Sequence, residues 1–224
     1  MTPELNRIYQ GDCLEIMRGW PDSCVDVVIT DPPYGEKTHA GARTGGGTEK
    51  LITFDSVTAE YMVSLARRLC VLSKRWVVMT CDWRHCAEIE KQCPDIFIRA
   101  GVWIKPNGMP QYTGDRPAMG WEAVAILHRS GVKKSNGGGS HAVWNVPKVS
   151  GDHPTQKPLN LIVKWMHLFS NSGETILDPY CGSGTSLLAA ESMGRKWIGI
   201  ELEPKYVKIA QARIDAEMAQ EKLF

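Results

Sequence analysis

Between Thr175 and Glu201 the chain carries the pattern that most restricts its fold. Thr175 to Leu177 reads as a buried strand and Asp178-Pro179-Tyr180-Cys181-Gly182-Ser183-Gly184-Thr185 as a glycine-rich turn. A helix runs on to Met193, and Trp197 to Ile200 is a second strand ending in Glu201. That order is a βαβ crossover, right-handed by rule, and it commits the chain to a parallel sheet with helices on its faces. Gly182 and Gly184 let a ligand approach the backbone, and the helix start offers N–H donors. Glu201, 17 residues after Gly184 at the next strand tip, can accept hydrogen bonds from two ribose hydroxyls. A dinucleotide fingerprint needs a third glycine where Leu187 stands. The pattern therefore favours an adenosine with an amino-acid tail and no pyrophosphate, S-adenosylmethionine, over NAD.

A second strand lies near the other end. Val25-Asp26-Val27-Val28-Ile29-Thr30 is β-branched but for Asp26, and Asp31-Pro32-Pro33-Tyr34 follows. Two prolines stop the strand at about Asp31, because neither can donate to a sheet ladder. A carboxylate, a stiff carbonyl and an aromatic ring then stand at a strand's carboxyl end, where open α/β sheets bind ligands. Asp31 can accept hydrogen bonds from an amino group and Tyr34 offers a π-face, so the set suits a flat heterocycle carrying NH2. A strand-ending turn with a surface Asp accounts for these four residues about equally well when they are taken alone.

The final helix, opened by Pro204 with Val207, Ala210, Ile214 and Met218 on one stripe, follows Glu201 with no further strand. The short strand Ile8-Tyr9 and the Asp12-Cys13 tip continue the sheet if placed after that helix. The chain thus reads as an α/β fold with a circularly permuted, doubly wound, mostly parallel sheet. Asp12 would then reach the adenine amine from the neighbouring tip. Between the halves the sequence predicts helices at Cys13–Trp20, Thr58–Cys70, Trp83–Gln92 and Leu159–Phe169, and a strand at Trp76–Met79. Ile96–Ile104 and Ala123–Leu127 read as an antiparallel pair at one sheet edge. Residues 35–53, 105–120 and 129–157 read as long polar loops.

One domain suits 224 residues. The first ten residues lack an apolar signal core, and no stretch reaches the roughly 18 apolar residues of a membrane span, which predicts a cytoplasmic protein with no membrane partner. Seven cysteines without paired spacing point to reduced thiols. Cys81, His85, Cys86 and Cys93 fit no usual zinc spacing, so no metal is expected. Net charge is only +1, yet residues 61–170 hold 15 Lys+Arg against 7 Asp+Glu, while both ends are acidic. A positive centre is compatible with a polyanion across one face, and basic solvated helices explain part of it. Trp121 and Trp144 read as packing residues.

The conjunction of motifs resembles the amino-DNA methyltransferases of the permuted β order, in which the catalytic motif precedes the cofactor motif. Asp31-Pro32-Pro33-Tyr34 looks like the catalytic motif, and residues 178–185 look like the cofactor motif with Tyr180 where Phe is usual. His153-Pro154-Thr155-Gln156-Lys157-Pro158 is similar to the loop before the first cofactor strand. Gly11-Asp12-Cys13-Leu14-Glu15 matches the adenine-contacting segment. Trp103-x-Lys105-x-Asn107-x-x-Pro110, with Arg116 and Glu122, looks like the stretch flanking the target pocket. The likeness spans residues 7 to about 215.

It implies a fold of the S-adenosylmethionine-dependent methyltransferase type and a site-specific DNA methyltransferase. S-adenosylmethionine would lie across Asp12, Cys13, Asp31, Thr155, Gln156, Lys157, Asp178, Tyr180, Cys181, Gly182, Ser183, Gly184, Thr185 and Glu201, with Lys157 on its carboxylate. A base flipped from double-stranded DNA would stack on Tyr34, its amine held by Asp31 and the Pro32 carbonyl beside Pro33. Asp-Pro-Pro-Tyr leans toward adenine N6; cytosine N4 is the alternative, a catalytically silent nucleic-acid-binding subunit the non-enzyme alternative, and a dehydrogenase a distant third. Lys105, Asn107, Arg116, Lys133 and Lys134 are candidates for DNA contact. The implied layout is a catalytic half (1–128), recognition loops (35–53, 105–120, 129–152) and a cofactor half (153–224). A second copy of the chain and a cognate restriction endonuclease are further candidate partners.

Overall fold

The computed structural model describes residues 1–33, 57–129, 131–149 and 156–221. Its strands are β1 (Arg7–Gln10), β2 (Val27–Thr30), β3 (Trp76–Cys81), β4 (Phe97–Ile104), β5 (Trp121–His128), β6 (Val143–Asn145), β7 (Thr175–Asp178) and β8 (Lys196–Glu201). Its helices are α1 (Cys13–Met17), α2 (Ala59–Leu72), α3 (Trp83–Gln92), α4 (Leu159–Phe169), α5 (Thr185–Ser192) and α6 (Pro204–Glu221). No described helix is long and apolar enough to cross a membrane.

The strands form one sheet in the order β1-β8-β7-β2-β3-β5-β4-β6. Strand β1 pairs in parallel with β8, Ile8 opposite Gly199, so the head of the chain completes the sheet that its tail begins. This is the permuted order expected from the sequence. Among the described strands β5 alone is reversed, antiparallel to both β3 and β4. The antiparallel pair expected from Ile96–Ile104 and Ala123–Leu127 is present as β4 and β5, with one more strand outside it. Strand β6 lies outside β4 and parallel to it, inside a stretch read as loop. Trp144 brings it there: the indole is buried and packs edge-on against Trp165 at 5.5 Å between centroids. Gly101 makes room, since a Cβ there would sit 2.8 Å from the Trp144 ring.

Strand β2 is buried along its whole length because helices cover both faces. Val27 and Ile29 point into the layer shared with α4 and α5, and Val28 into the layer shared with α2. Each such side chain contributes about 1.5–3 kcal/mol by leaving water. The polar interruption at Asp26 also has its reason: one carboxylate oxygen accepts from Lys74 Nζ and the other from the Thr175 N–H, both at 2.8 Å. It fastens the start of β2 to the start of β7. Helices α1 and α3, which follow β1 and β3, start on side-chain caps, Asp12 accepting from the Glu15 N–H at 2.9 Å and Asp82 from the Arg84 N–H at 2.9 Å. A cap of this kind is worth about 1 kcal/mol.

Candidate active site

Strands β7 and β2 are neighbours in the sheet although 149 residues separate Asp26 from Thr175. Their carboxyl ends meet where the strand order switches, the place where open α/β sheets hold ligands. There Thr30 Oγ1 donates to Asp178 Oδ1 at 2.8 Å. Asp31 comes one residue later, half-buried. Its Oδ1 accepts from Thr80 Oγ1 at the end of β3, and its Oδ2 accepts from Lys157 Nζ at 2.5 Å. Lys157 also lies 3.3 Å from Glu122 Oε2, and Glu122 Oε1 accepts from Lys105 Nζ at 3.0 Å. Burial pulls the Lys157 pKa down, but the carboxylates of Asp31 and Glu122 outweigh it and hold the ammonium above its ordinary value.

The glycine turn is locked from three sides. Gly184 has φ +81°, and a Cβ there would lie 2.8 Å from Ala210 Cβ on α6. Arg213, also on α6, donates to the Ser183 carbonyl at 2.6 Å. Ser183 Oγ donates to Gln156 Oε1 at 3.2 Å, which draws the segment before α4 against the turn. Glu201 closes the far side, accepting from the N–H groups of Gly182 at 2.9 Å and Glu203 at 2.8 Å. Burial raises its pKa. A carboxylate has about four acceptor sites, so two backbone bonds leave capacity for a diol. A glycine turn without room for a side chain, helix N–H groups and a strand-tip carboxylate fit a nucleoside with a short polar tail.

Several residues grouped from sequence play other parts. Asp178 turns inward: Oδ1 accepts from Thr30 and the Tyr180 N–H, and Oδ2 from Ser186 Oγ. It braces the turn instead of facing the cleft. Cys13, Cys181, Ser183 and Thr185 are buried, so what they offer a ligand is chiefly backbone. Lys157, expected on a ligand carboxylate, is engaged with two protein carboxylates. Asn107 pins its loop to Lys148, donating to the carbonyl at 2.9 Å and accepting from the N–H at 2.7 Å. Arg116 is exposed beside Asp115. Lys133 and Lys134 follow β5 to the sheet edge opposite the cleft. The Lys134 carbonyl accepts from Arg75 and from the Trp76 indole at the start of β3, about 13 Å of strand from Thr80. The reversal of β5 puts them there, since its end points away from the cleft. Tyr34 and Thr155 fall outside the described residues.

Three further residues contribute. Thr80 has a signal in the sequence, as the polar residue of an otherwise apolar β3. Glu122, read from sequence as flanking the target pocket, pairs with Lys157 at the cleft. Tyr61 on α2, whose hydroxyl hydrogen-bonds to that of Tyr180, gave no signal at all. Burial pushes the Tyr61 hydroxyl up to about 12, and raises that of Tyr180, so both stay neutral donors.

A family model described as DNA methylase, N6_N4_Mtase, matches residues 25–212. The chain belongs to this family. Among its relatives are the Type II methyltransferase M.HinfI of Haemophilus influenzae, 27% identical over 94% of this chain and 68% of its own length. Another is the Type II methyltransferase M.XycI of Xanthomonas campestris pv. cyanopsidis, 28% identical over 94% and 88%. The crystal structure of the M1.HpyAVI–SAM complex superposes with a TM-score of 0.71 at 26% identity, covering 93% of this chain and 98% of that one. The cytosine-N4-specific PvuII DNA methyltransferase shares the fold at 17% identity, with a TM-score of 0.72 over 95% of this chain and 87% of that one. The DNA methylase reading and the S-adenosylmethionine-type methyltransferase fold therefore agree with the cleft between β2 and β7.

Proposed function

We propose that this DNA methylase transfers a methyl group from S-adenosylmethionine to the N6 amine of an adenine flipped out of double-stranded DNA. The observation that carries the reading is the junction at the switch point, where the Thr30–Asp178 hydrogen bond sets Asp31 directly beside the glycine turn. S-adenosylmethionine supplies an electrophilic methyl on a sulfonium sulfur. Glu201 would hold the ribose hydroxyls, Asp12 and the Cys13 backbone the adenine edge, and the turn from Tyr180 to Thr185 with Thr155 and Gln156 the amino-acid tail. Asp31 and the Pro32 carbonyl would accept hydrogen bonds from the target amine and turn its lone pair toward the methyl carbon, with Tyr34 stacking on the base. The amine nitrogen would take the methyl as the sulfur–carbon bond breaks, leaving a neutral thioether, and the surplus amine proton would pass to water; no covalent enzyme intermediate is required, and catalysis is chiefly positioning. Flipping costs a few kcal/mol, offset by stacking worth about 1–3 kcal/mol.

Residues 105–120 leave β4 at the cleft edge with Met109, Tyr112, Arg116 and Met119 exposed, which supports reading them as part of a recognition surface. The stretch 35–53 would supply the rest. Of 129–152, the part after β6 shares that edge. We read the chain as one methyltransferase domain acting on cytoplasmic DNA, with a second copy and a cognate restriction endonuclease as partners to be tested. Incubation with methyl-labelled cofactor and DNA, followed by digestion to nucleosides, should yield N6-methyladenine. N4-methylcytosine alone would move the target to cytosine, and no labelled nucleoside from any DNA would leave a silent binding subunit. Asp31→Ala should abolish transfer while keeping most cofactor affinity; an active variant would refute the role given to Asp31.

A further inference from the structure

Four alternating charges run from the sheet's far strands into the cleft. Lys105 Nζ meets Glu122 Oε1 at 3.0 Å, Glu122 Oε2 meets Lys157 Nζ at 3.3 Å, and Lys157 Nζ meets Asp31 Oδ2 at 2.5 Å. All four side chains are largely withdrawn from water, from 9% exposed at Lys157 to 24% at Asp31. The arrangement is built. Glu122 is register partner of Trp103 across the β4–β5 pair, and the buried Trp103 ring lies 5.5 Å from Lys105 Nζ and 5.6 Å from Lys157 Nζ. The indole is fixed by its own bond to the Val146 carbonyl at 2.8 Å. A low-dielectric wall on one side makes each charge felt more strongly by the next.

The arithmetic of these charges matters for a cationic donor. Asp31 is the anion that would face both the sulfonium and the target amine, yet an ammonium touches it. Lys157 alone would cancel Asp31 and leave the pair with no net attraction for a positive ligand. Glu122 removes that effect, and Lys105 in turn limits Glu122. We propose that Glu122 is a positioning residue that offsets Lys157, so that the charge of Asp31 remains available to a cationic sulfonium donor. Lys105 tunes the balance. This rests on the reading of the chain as an S-adenosylmethionine-dependent enzyme, and it gives the antiparallel part of the sheet a part in binding the cofactor.

The test compares two ligands that differ in one charge: S-adenosylmethionine, a sulfonium, and S-adenosylhomocysteine, its neutral thioether. Dissociation constants of both are measured by calorimetry on the full chain, without DNA. One charge added within about a Debye length, roughly 10 Å, through an effective dielectric of about 20 alters an affinity by roughly tenfold before salt screening. Glu122→Gln should therefore weaken the sulfonium roughly tenfold more than the thioether. Adding Lys105→Met to it should bring the ratio back to within about twofold of wild type. Lys105→Met alone should shift the ratio the other way, and this variant carries the test if Glu122→Gln fails to fold. Equal weakening of both ligands, or a ratio that Lys105→Met does not move, overturns the inference and leaves Glu122 a structural tie. Wild-type protein that binds neither ligand overturns the proposed cofactor, and the inference with it; binding of both with an unchanged ratio overturns the inference alone.

Discussion

Asp178→Asn isolates what a buried carboxylate does at the junction of β2 and β7. Burial pushes the Asp178 carboxyl up from 3.8 to about 6, and the hydrogen bonds from Ser186, Thr30 and the Tyr180 N–H hold it from rising further. The folded pKa thus lies above the unfolded one, so the folded state binds the proton more tightly. Stability from this group is fully present below about pH 4 and is lost as pH rises through about 6. A shift of about 2 units corresponds to about 3 kcal/mol lost above pH 7, with roughly half gone by pH 5. Asparagine keeps the oxygen that accepts from Thr30 and the Tyr180 N–H, and its amide can donate to Ser186 Oγ. It therefore mimics the protonated acid at every pH. Urea titrations from pH 4 to pH 8 should find the two proteins equally stable at pH 4, and Asp178→Asn ahead by about 3 kcal/mol at pH 8. A difference that stays flat across that range, or that favours wild type at pH 8, would show that the carboxylate is not buried at this cost. Asp178 would then not be the buried brace of the β2–β7 junction.

Two further outcomes follow from the cofactor turn. Glu201→Ala should weaken S-adenosylmethionine at least tenfold by calorimetry, because each charge-assisted bond to a ribose hydroxyl contributes about 1.5–3 kcal/mol; unchanged affinity would remove Glu201 from the site. Gly184→Ala should lower the unfolding free energy by about 2 kcal/mol or more, since a left-handed φ costs about 1–2 kcal/mol and the new methyl would press on Ala210. Thermal unfolding at fixed pH measures it, and a variant as stable as wild type would mean that α6 does not hold the turn.

Most of the fold was legible because its signals are local. Period and proline punctuation mark β2, the glycine turn and its flanking strands mark β7 and β8, and the short strand at Ile8-Tyr9 with Asp12 at its tip fits beside β8. The helix Trp83–Gln92 can be read to its ends because Asp82 caps it and Pro94 follows its C-cap, Cys93. Strand β6 escaped, because three residues in a polar stretch carry no period; their pairing depends on where Trp144 finds space beside Gly101.

The sequence by itself determined the chemical inventory of the cleft: Asp31 after an apolar strand, glycines where the backbone must come close, and Glu201 at a strand tip. These are covalent neighbours of the elements that carry them, so their position along the chain already says where they stand. Only the tertiary structure decided how they are used. Asp178 turned inward, Lys157 settled between Asp31 and Glu122, Tyr61 met Tyr180, and the reversal of β5 carried Lys133 and Lys134 away. Such pairings join residues scores of positions apart. They are fixed by strand order and by the cost of burying a polar group without a partner, and neither is written in any local stretch of sequence.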